Sequence, residues 1–142
     1  MRCGCVWASR RIFKWTTRWL SSAVRPIPCE YAAGPRFVLS ARDQAALRDL
    51  LHAPSQDAGL AGLAPVGWFH SHTRSEISLS AGDVELFNRF FPQPWQIALV
   101  VRPAVLGPSR AGFFFREAGG AIRADAGGRE LQLTAGAAAA AA

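Results

Sequence analysis

The sequence predicts a mixed α/β domain in which helices pack against a sheet. Ser-x-x-Asp patterns at 40–43 and 80–83 each open a segment whose apolar residues recur at helical spacing. Short apolar runs at 66–70 and 95–101 are typical of buried strands. The resulting order of helix, strand, helix, strand and strand favours a layered α/β architecture. A chain of 142 residues suffices for one such domain.

The first 29 residues differ in composition from everything that follows them. They contain six basic residues and no acidic one, whereas residues 30–142 contain ten of each, so the net charge of +6 belongs to this segment. Three of the five tryptophans also lie here. We therefore predict an atypical basic segment over 1–25, a globular domain over 26–134 and an alanine-rich tail over 135–142.

Residues 5–24 fit two kinds of secondary structure. Ile12, Trp15 and Trp19 follow a helical stripe, which would make a basic amphipathic helix. The same segment is rich in Val, Ile, Phe, Trp and Thr, which favour strands. Pro26 then excludes both a helix and a central strand, because proline has no backbone N–H to donate.

The elements after residue 40 are simpler to assign. The first Ser-x-x-Asp pattern predicts a helix over about 41–52, and the run at 66–70 predicts a strand. The second pattern predicts a helix that Pro92 ends. The run at 95–101 is apolar except for Gln96, which predicts a strand covered on both faces. Further strands are predicted at 111–116 and 131–133.

The cysteines and the hydropathy pattern bear on where the protein works. Cys3, Cys5 and Cys29 are an odd number and do not form a disulfide framework, so we expect small buried side chains in a reducing, cytoplasmic setting. Cys-x-Cys lacks the spacing of a four-ligand zinc site. The sequence has no secretory signal and no uncharged apolar run of about 18 residues, which predicts a protein without a membrane span.

Metal chemistry is indicated by two histidines followed by an aspartate. His70 and His72 are two residues apart at the end of a predicted strand, so both side chains point to the same face. Asp83, in the first turn of the next helix, can add a carboxylate ligand. Two imidazoles, one carboxylate and a water make a catalytic zinc site with an open position. Such a site also needs a general base.

Each half of this pattern also has an ordinary structural interpretation. His-x-His occurs by chance in surface strands, and Ser-x-x-Asp is a common helix cap, as the pattern at 40–43 illustrates. The two halves together, with a strand before and a helix after, favour the metal site. Trp68 and Phe69, just before the histidines, are interpreted as core residues.

These residues resemble the signature of a known family. His70-x-His72-x7-Ser80-x-x-Asp83 is similar to the motif of the JAB/MPN, or JAMM, metallopeptidases, and VGWFHSH at 66–72 resembles the family's histidine-bearing strand. The likeness runs from about residue 26 to 117 and is greatest to the small bacterial members. Thr73 stands where the family usually has proline.

The resemblance implies a fold, a cofactor and a reaction. The family fold is a three-layer α/β/α sandwich shared with cytidine deaminases. The implied activity is that of a zinc-dependent metallopeptidase or isopeptidase, deubiquitinase-like, acting on a ubiquitin-like or sulfur-carrier protein. His70, His72 and Asp83 would be the zinc ligands, and Ser80 would be a catalytic residue that donates a hydrogen bond to the oxyanion.

The family's general base is missing from its usual place. The family has an upstream glutamate in a pattern such as Glu-x-Cys-Gly, but the carboxylates before the histidines do not lie in such a pattern, and Glu30 is the weak remaining candidate. Aligning Cys3-Gly4 with that pattern puts Met1 on the glutamate. This indicates a disturbed N-terminus, through a late start or a shifted reading frame, or a zinc binder with impaired hydrolysis.

Three functional hypotheses therefore remain open. The first is a JAMM-type isopeptidase, and the second is a non-catalytic, zinc-binding MPN-like interaction module. The third is binding to nucleic acid or an anionic membrane through the basic N-terminus, which we rank last, expecting no specific nucleic-acid partner. A deaminase is excluded, because the Pro-Cys-x-x-Cys pattern is absent.

Overall fold

A computed structural model describes residues 2–13, 16–31, 38–52, 57–71, 76–125 and 130–133. The chain is a mixed α/β structure with two α-helices and a six-stranded sheet within these residues. The elements, in chain order, are β1 (Cys3–Phe13), β2 (Thr16–Ile27), α1 (Ala41–His52), a 3₁₀ turn (Ala58–Leu60), β3 (Ala64–Ser71), α2 (Ala81–Phe90), β4 (Ile97–Arg102), β5 (Ser109–Phe115) and β6 (Glu130–Leu133).

The predicted elements after residue 40 are present. The first helix has the predicted bounds, and the second begins directly after Ser80. The strand order is β2-β1-β3-β4-β5-β6. β3 and β4 are parallel and α2 connects them, whereas every other neighbouring pair is antiparallel. The carboxyl ends of β3 and β4 therefore meet at one edge of the sheet.

The N-terminal segment forms a hairpin. The helical interpretation of 5–24 is wrong, because β1 and β2 pair along their whole length. β1 lies inside the sheet between β2 and β3, so a boundary after residue 25 falls within β2. Pro26 lies on β2, at the edge of the sheet, where a missing backbone donor is tolerated. The alanine-rich tail lies outside the described residues.

The core lies on one face of the sheet. Residues of adjacent strands that face each other there are fully buried: Cys3, Cys5, Trp68, His70, Ala98, Val100 and Phe114. Both helices contribute to this same core, through Leu47 on α1 and Phe87 on α2. On the other face, Leu99 and Val101 are half-buried, so the predicted strand is covered more completely on its core face than on the opposite one.

Close contact between β3 and β4 requires a glycine. Gly67 is paired with Ile97, and a Cβ built on Gly67 would clash with the Ile97 carbonyl oxygen. Any larger residue would push these strands apart. His70 lies three residues further along the same strand and is paired with Val100 of β4.

The cysteines do not all behave as the sequence predicts. Cys5 is buried, and its burial raises the pKa of the thiol to about 12. Cys3 and Cys29 instead form a disulfide that joins β1 to the turn after β2. The expectation that the cysteines form no disulfide is therefore wrong for this pair, because the β1–β2 pairing opposes Cys3 to Ile27 and brings Cys29 alongside. No helix in the described part of the chain has the length and hydrophobicity needed to span a membrane.

Candidate metal centre

His70 lies at the carboxyl end of β3, on the core face. Its side chain is 1% exposed, and its ring centroid lies 4.9 Å from that of Trp68. Cys3 is its direct partner on β1, and Val100 is its partner on β4. The alternation of side chains along β3 places His70 inward together with Trp68, because residues two apart in a strand share a face.

Asp83 is fixed by the start of α2. Its Oδ2 atom accepts hydrogen bonds from the backbone N–H of Ser80 and from the Ser80 hydroxyl, each at 2.7 Å. The Asp83 N–H in turn donates to the Ser80 hydroxyl at 3.2 Å. These bonds form a capping box that satisfies backbone donors at the helix start. Asp83 is 5% exposed, so the box holds its carboxylate inside the protein.

The two residues meet across the β3–α2 junction. His70 Nε2 lies 4.0 Å from Asp83 Oδ2. Two ligands of a tetrahedral zinc ion, each bound at about 2.0–2.2 Å, lie about 3.3–3.6 Å apart. A shift of about half an ångström would therefore let both atoms bind one ion. A nitrogen and an oxygen ligand, both buried, suit zinc, so the residues present fit the metal that the resemblance implies.

The proposed third ligand lies outside the described residues. His72 follows Ser71, the last residue of β3, whose N–H donates to the Arg2 carbonyl at 2.8 Å. Among the residues that the structure describes, no group of three or more ligand-forming side chains is present. The third histidine, His52, is exposed at the end of α1. It is therefore not part of the site.

Ser80 is engaged with Asp83 in this structure. A hydroxyl has one proton to donate, and that of Ser80 is donated to the Asp83 carboxylate. Ser80 is exposed, whereas Asp83 is buried. To donate to an oxyanion, as the resemblance implies, the hydroxyl would have to rotate away from Asp83.

The two positions considered for the general base, Glu30 and Met1, differ in their surroundings. Glu30 is exposed, its carboxylate lies 3.7 Å from Arg42 Nη1, and its backbone N–H donates to Asp43. It thus lies against the start of α1. Met1 lies outside the described residues, but it is joined to Arg2, whose N–H donates to the Ser71 hydroxyl at 2.9 Å. Arg2 itself therefore lies beside the carboxyl end of β3.

Cys3 is a neighbour of the site that the sequence did not predict. The alignment of Cys3-Gly4 with the family pattern held the only signal, since it implied that this segment lies beside the histidines. The pairing of Cys3 with His70 shows that the segment does so. Its sulfur is also the one joined to Cys29, so the N-terminal strand is anchored next to His70.

An open cleft adjoins Asp83. It runs between α2 and the segment that leads into α1, and Arg89 Nη1 crosses it to donate to Gln44 Oε1 at 3.1 Å. The cleft is lined by Val38, Leu39, Gln44, Gly82, Asp83, Glu85, Leu86, Arg89 and Phe90. Its lining combines apolar side chains with the charged Asp83, Glu85 and Arg89.

Comparison with known proteins identifies a distant structural similarity and no family. No family model matches the chain, and no curated protein matches it. A protein from Salinibacter ruber, whose structure was solved in solution, is similar with 18% identity and a TM-score of 0.48. The similarity covers 88% of this chain and 74% of that one.

Proposed function

We propose that this chain is a zinc-dependent metallopeptidase or isopeptidase of the JAB/MPN type. The proposal includes a cytoplasmic setting, in which the Cys3–Cys29 bond would be reduced. The three-layer sandwich of that family would need a second helical layer from outside the described residues, because α1 and α2 pack on the same core. One observation carries the proposal: buried His70 Nε2 and Asp83 Oδ2 lie 4.0 Å apart, at the junction that the signature predicts. A buried imidazole facing a buried carboxylate is a costly arrangement, and a shared metal ion is one reason to retain it.

Each residue of the signature then has a role. His70, His72 and Asp83 would hold the zinc, which when bound lowers the pKa of water and polarises the scissile carbonyl. The capping box orients the Asp83 carboxylate, as outer-shell hydrogen bonds commonly do for metal ligands. Ser80, once rotated, would donate to the oxyanion. The substrate would be a protein, ubiquitin-like or sulfur-carrier in type, with its reacting segment in the cleft beside Asp83.

A second function is favoured by the placement of Glu30. Its carboxylate faces Arg42 at the start of α1, so the remaining candidate for the general base is engaged elsewhere. A chain that keeps the metal ligands and lacks a base would be a non-catalytic, zinc-binding interaction module. The two functions share the metal site and differ only in proton transfer.

The metal is tested by counting zinc in purified protein after dialysis against micromolar zinc. We expect about one zinc per chain in the wild type, because His70, His72 and Asp83 would supply the three protein ligands of a zinc site. A His52→Ala control should bind the same amount, because His52 lies outside the site. The His72→Ala variant should lose it. A folded wild type that takes up no zinc would refute the proposal.

Activity separates the enzyme from the interaction module. A Met1→Glu variant, made behind a new initiator methionine, places a carboxylate next to Arg2 and the carboxyl end of β3. The assay is cleavage of a ubiquitin-like protein joined to a lysine through an isopeptide bond. Cleavage by the variant and not by the wild type supports the metallopeptidase lineage with a missing base. No cleavage by either, with stoichiometric zinc in both, supports the interaction module.

A further inference from the structure

A pair of arginines lies at the same edge of the sheet as the metal centre. Arg102 is the last residue of β4 and is paired with Arg110 of β5. It follows two residues after Val100, which is the β4 partner of His70. One strand spacing of about 4.8 Å and two residue steps of about 3.4 Å place the Cα atoms of His70 and Arg102 about 8 Å apart. The arginine pair is therefore a close neighbour of the metal centre.

Both arginine side chains lie on the face of the sheet that carries His70. Residues two apart in a strand share a face, so Arg102 is on the same face as the buried Val100. Arg110 is on the same face as the buried Phe114 by the same rule. Arg102 is half-buried and Arg110 is exposed, so both side chains reach solvent at this edge.

A pocket of about 230 Å³ lies between the two arginines. It is lined by Arg102, Pro103, Ala104, Pro108 and Arg110. The connection from β4 to β5 forms its wall, and the Ser109 hydroxyl accepts a hydrogen bond from the Ala104 N–H at 3.2 Å. The two prolines restrict this wall further, because each fixes its own φ near −65°. The pocket therefore combines a constrained backbone wall with two cationic sides.

The charges around this pocket do not cancel. The Arg110 guanidinium donates a hydrogen bond to the Glu130 carboxylate of β6. Two arginines and one glutamate leave one positive charge in excess, and like charges directly opposite each other on neighbouring strands cost stability. A guanidinium has five N–H donors, so Arg110 can bind Glu130 and a second anion together. One further anion with a single negative charge would balance the group.

We propose that Arg102 and Arg110 form a subsite that binds a carboxylate group of a peptide ligand. The planar fork of a guanidinium matches the two oxygens of a carboxylate. A phosphate group carries nearly two negative charges at pH 7, which exceeds the excess charge of the pocket and is repelled by Glu130. The carboxylate belongs either to an acidic side chain or to the C-terminus of the peptide, and the chemistry of binding is the same.

The role of this subsite in substrate recognition rests on the proposed metallopeptidase function, whereas its binding of a carboxylate does not. An extended peptide advances about 3.3 Å per residue, so the bound carboxylate would lie about two or three residues from the bond at the metal. The subsite would give the proposed enzyme a preference for substrates with an acidic group at that distance.

The test is a ¹H–¹⁵N NMR titration of the full chain, followed through the backbone amides of Ala104 and Arg110. The probes are N-acetyl-diglycine with a free carboxylate, N-acetylglutamic acid α-amide, and the neutral amide of N-acetyl-diglycine. The two carboxylates should shift these amides with a Kd on the order of 1 mM, which a few charge-assisted hydrogen bonds can supply. The neutral probe should not shift them. The tighter of the two carboxylates identifies the source, C-terminal or side-chain.

Three variants locate the binding. Arg102→Gln should weaken carboxylate binding by at least about tenfold, because a charge-assisted hydrogen bond is lost. The matched control is Arg48→Gln, which removes the same charge from an exposed position on α1 and should bind as the wild type. Glu130→Gln should bind carboxylate several-fold more tightly, because the competing carboxylate is gone. A purely structural ion pair would give no such gain, so Glu130→Gln decides the matter even if Arg102→Gln does not fold.

Four results would overturn the proposal: equal shifts by the neutral probe, equal weakening in Arg48→Gln, no gain in Glu130→Gln, or tighter binding of inorganic phosphate than of either carboxylate. Zinc uptake is measured separately on the same protein. A chain that takes up zinc and fails this titration refutes the subsite alone. A chain that binds the carboxylates and no zinc refutes the proposed function alone.

Discussion

The two helices begin with the same local structure and different surroundings. Ser40 and Asp43 exchange the same pair of bonds at the start of α1, at 3.1 and 3.0 Å, that Ser80 and Asp83 exchange at the start of α2. Both aspartates are buried, at 1% and 5% exposure. In each case the serine satisfies a backbone donor of the helix while the aspartate caps the serine N–H.

The difference lies in what each carboxylate faces beyond its own helix. Asp43 accepts the backbone N–H of Glu30 at 3.1 Å and so anchors the turn after β2. Asp83 faces the imidazole of His70. A backbone amide is a structural partner, whereas an imidazole is a potential ligand for the same metal ion. The two helix starts therefore differ in their tertiary neighbours, and only Asp83 faces a side chain that could share a metal ion with it.

The largest effect should come from exchanging the two aspartates for asparagine. An amide retains an oxygen for the cap but loses the charge that a metal requires. Asp83→Asn should weaken zinc affinity by more than about 100-fold, since even outer-shell changes cost 10–100-fold. Asp43→Asn should leave zinc affinity unchanged. Competition with a coloured chelator measures both, and equal loss in the two variants would remove the proposed difference between the helix starts.

The next largest effect should come from the disulfide at the turn after β2, which Asp43 also anchors. Cys29 is next to Glu30 and is joined to Cys3 across a sequence separation of 26. Closing a loop of this size stabilises a protein by about 3.5 kcal/mol in the chain-entropy account. In urea titrations, the free energy of unfolding of the oxidised wild type should exceed that of Cys29→Ser by up to that amount. The reduced wild type should be as stable as the variant. Equal stability of oxidised and reduced protein would contradict this.

Removing either capping serine should have a smaller effect than removing the disulfide, and the effect should be the same for both serines. Ser40→Ala and Ser80→Ala each leave one backbone N–H of the first turn without its side-chain acceptor. Each should lower the free energy of unfolding of the metal-free protein by about 1 kcal/mol. Urea titrations with an unchanged slope measure this. A cost for Ser80→Ala several times that for Ser40→Ala would show that the two boxes are not structurally equivalent.

The smallest effect concerns a carboxylate that belongs to neither helix start. The hydrogen bond from Arg25, and then that from the Gly59 N–H, lower the pKa of Asp57. Because the folded pKa is below the unfolded value, the pair stabilises the protein above the unfolded pKa and the gain disappears as pH falls through the folded one. Asp57→Asn should be slightly less stable than wild type at pH 7 and equal to it in strong acid. A difference that persists in acid would show that the ion pair is not its source.

Much of the fold follows from local sequence patterns. Both helices and the strands after residue 60 were predicted, because capping boxes, helical spacing and apolar runs are local signals. The N-terminal hairpin was not resolved, since Ile12, Trp15 and Trp19 fit a helix as well as a strand. The segment forms strands because β1 pairs with β3, and such long-range pairing overrides local preference.

The candidate site was predictable only in part. The spacing of His70 and Asp83 predicted that they meet, and their side chains lie 4.0 Å apart. The bond between Cys3 and Cys29 and the position of Cys3 opposite His70 depend on strand register, which no local pattern in the sequence encodes. The engagement of Glu30 with Arg42 likewise depends on where the turn after β2 lies.

X-ray absorption at the zinc edge tests the central claim most directly, because Cys3 and Asp83 both lie beside His70 and only one of them is the proposed ligand. The account predicts nitrogen and oxygen ligands at about 2.0–2.2 Å, with the scattering pattern of two imidazoles. A zinc–sulfur distance of about 2.3 Å, or a folded protein that binds no zinc at all, would contradict it.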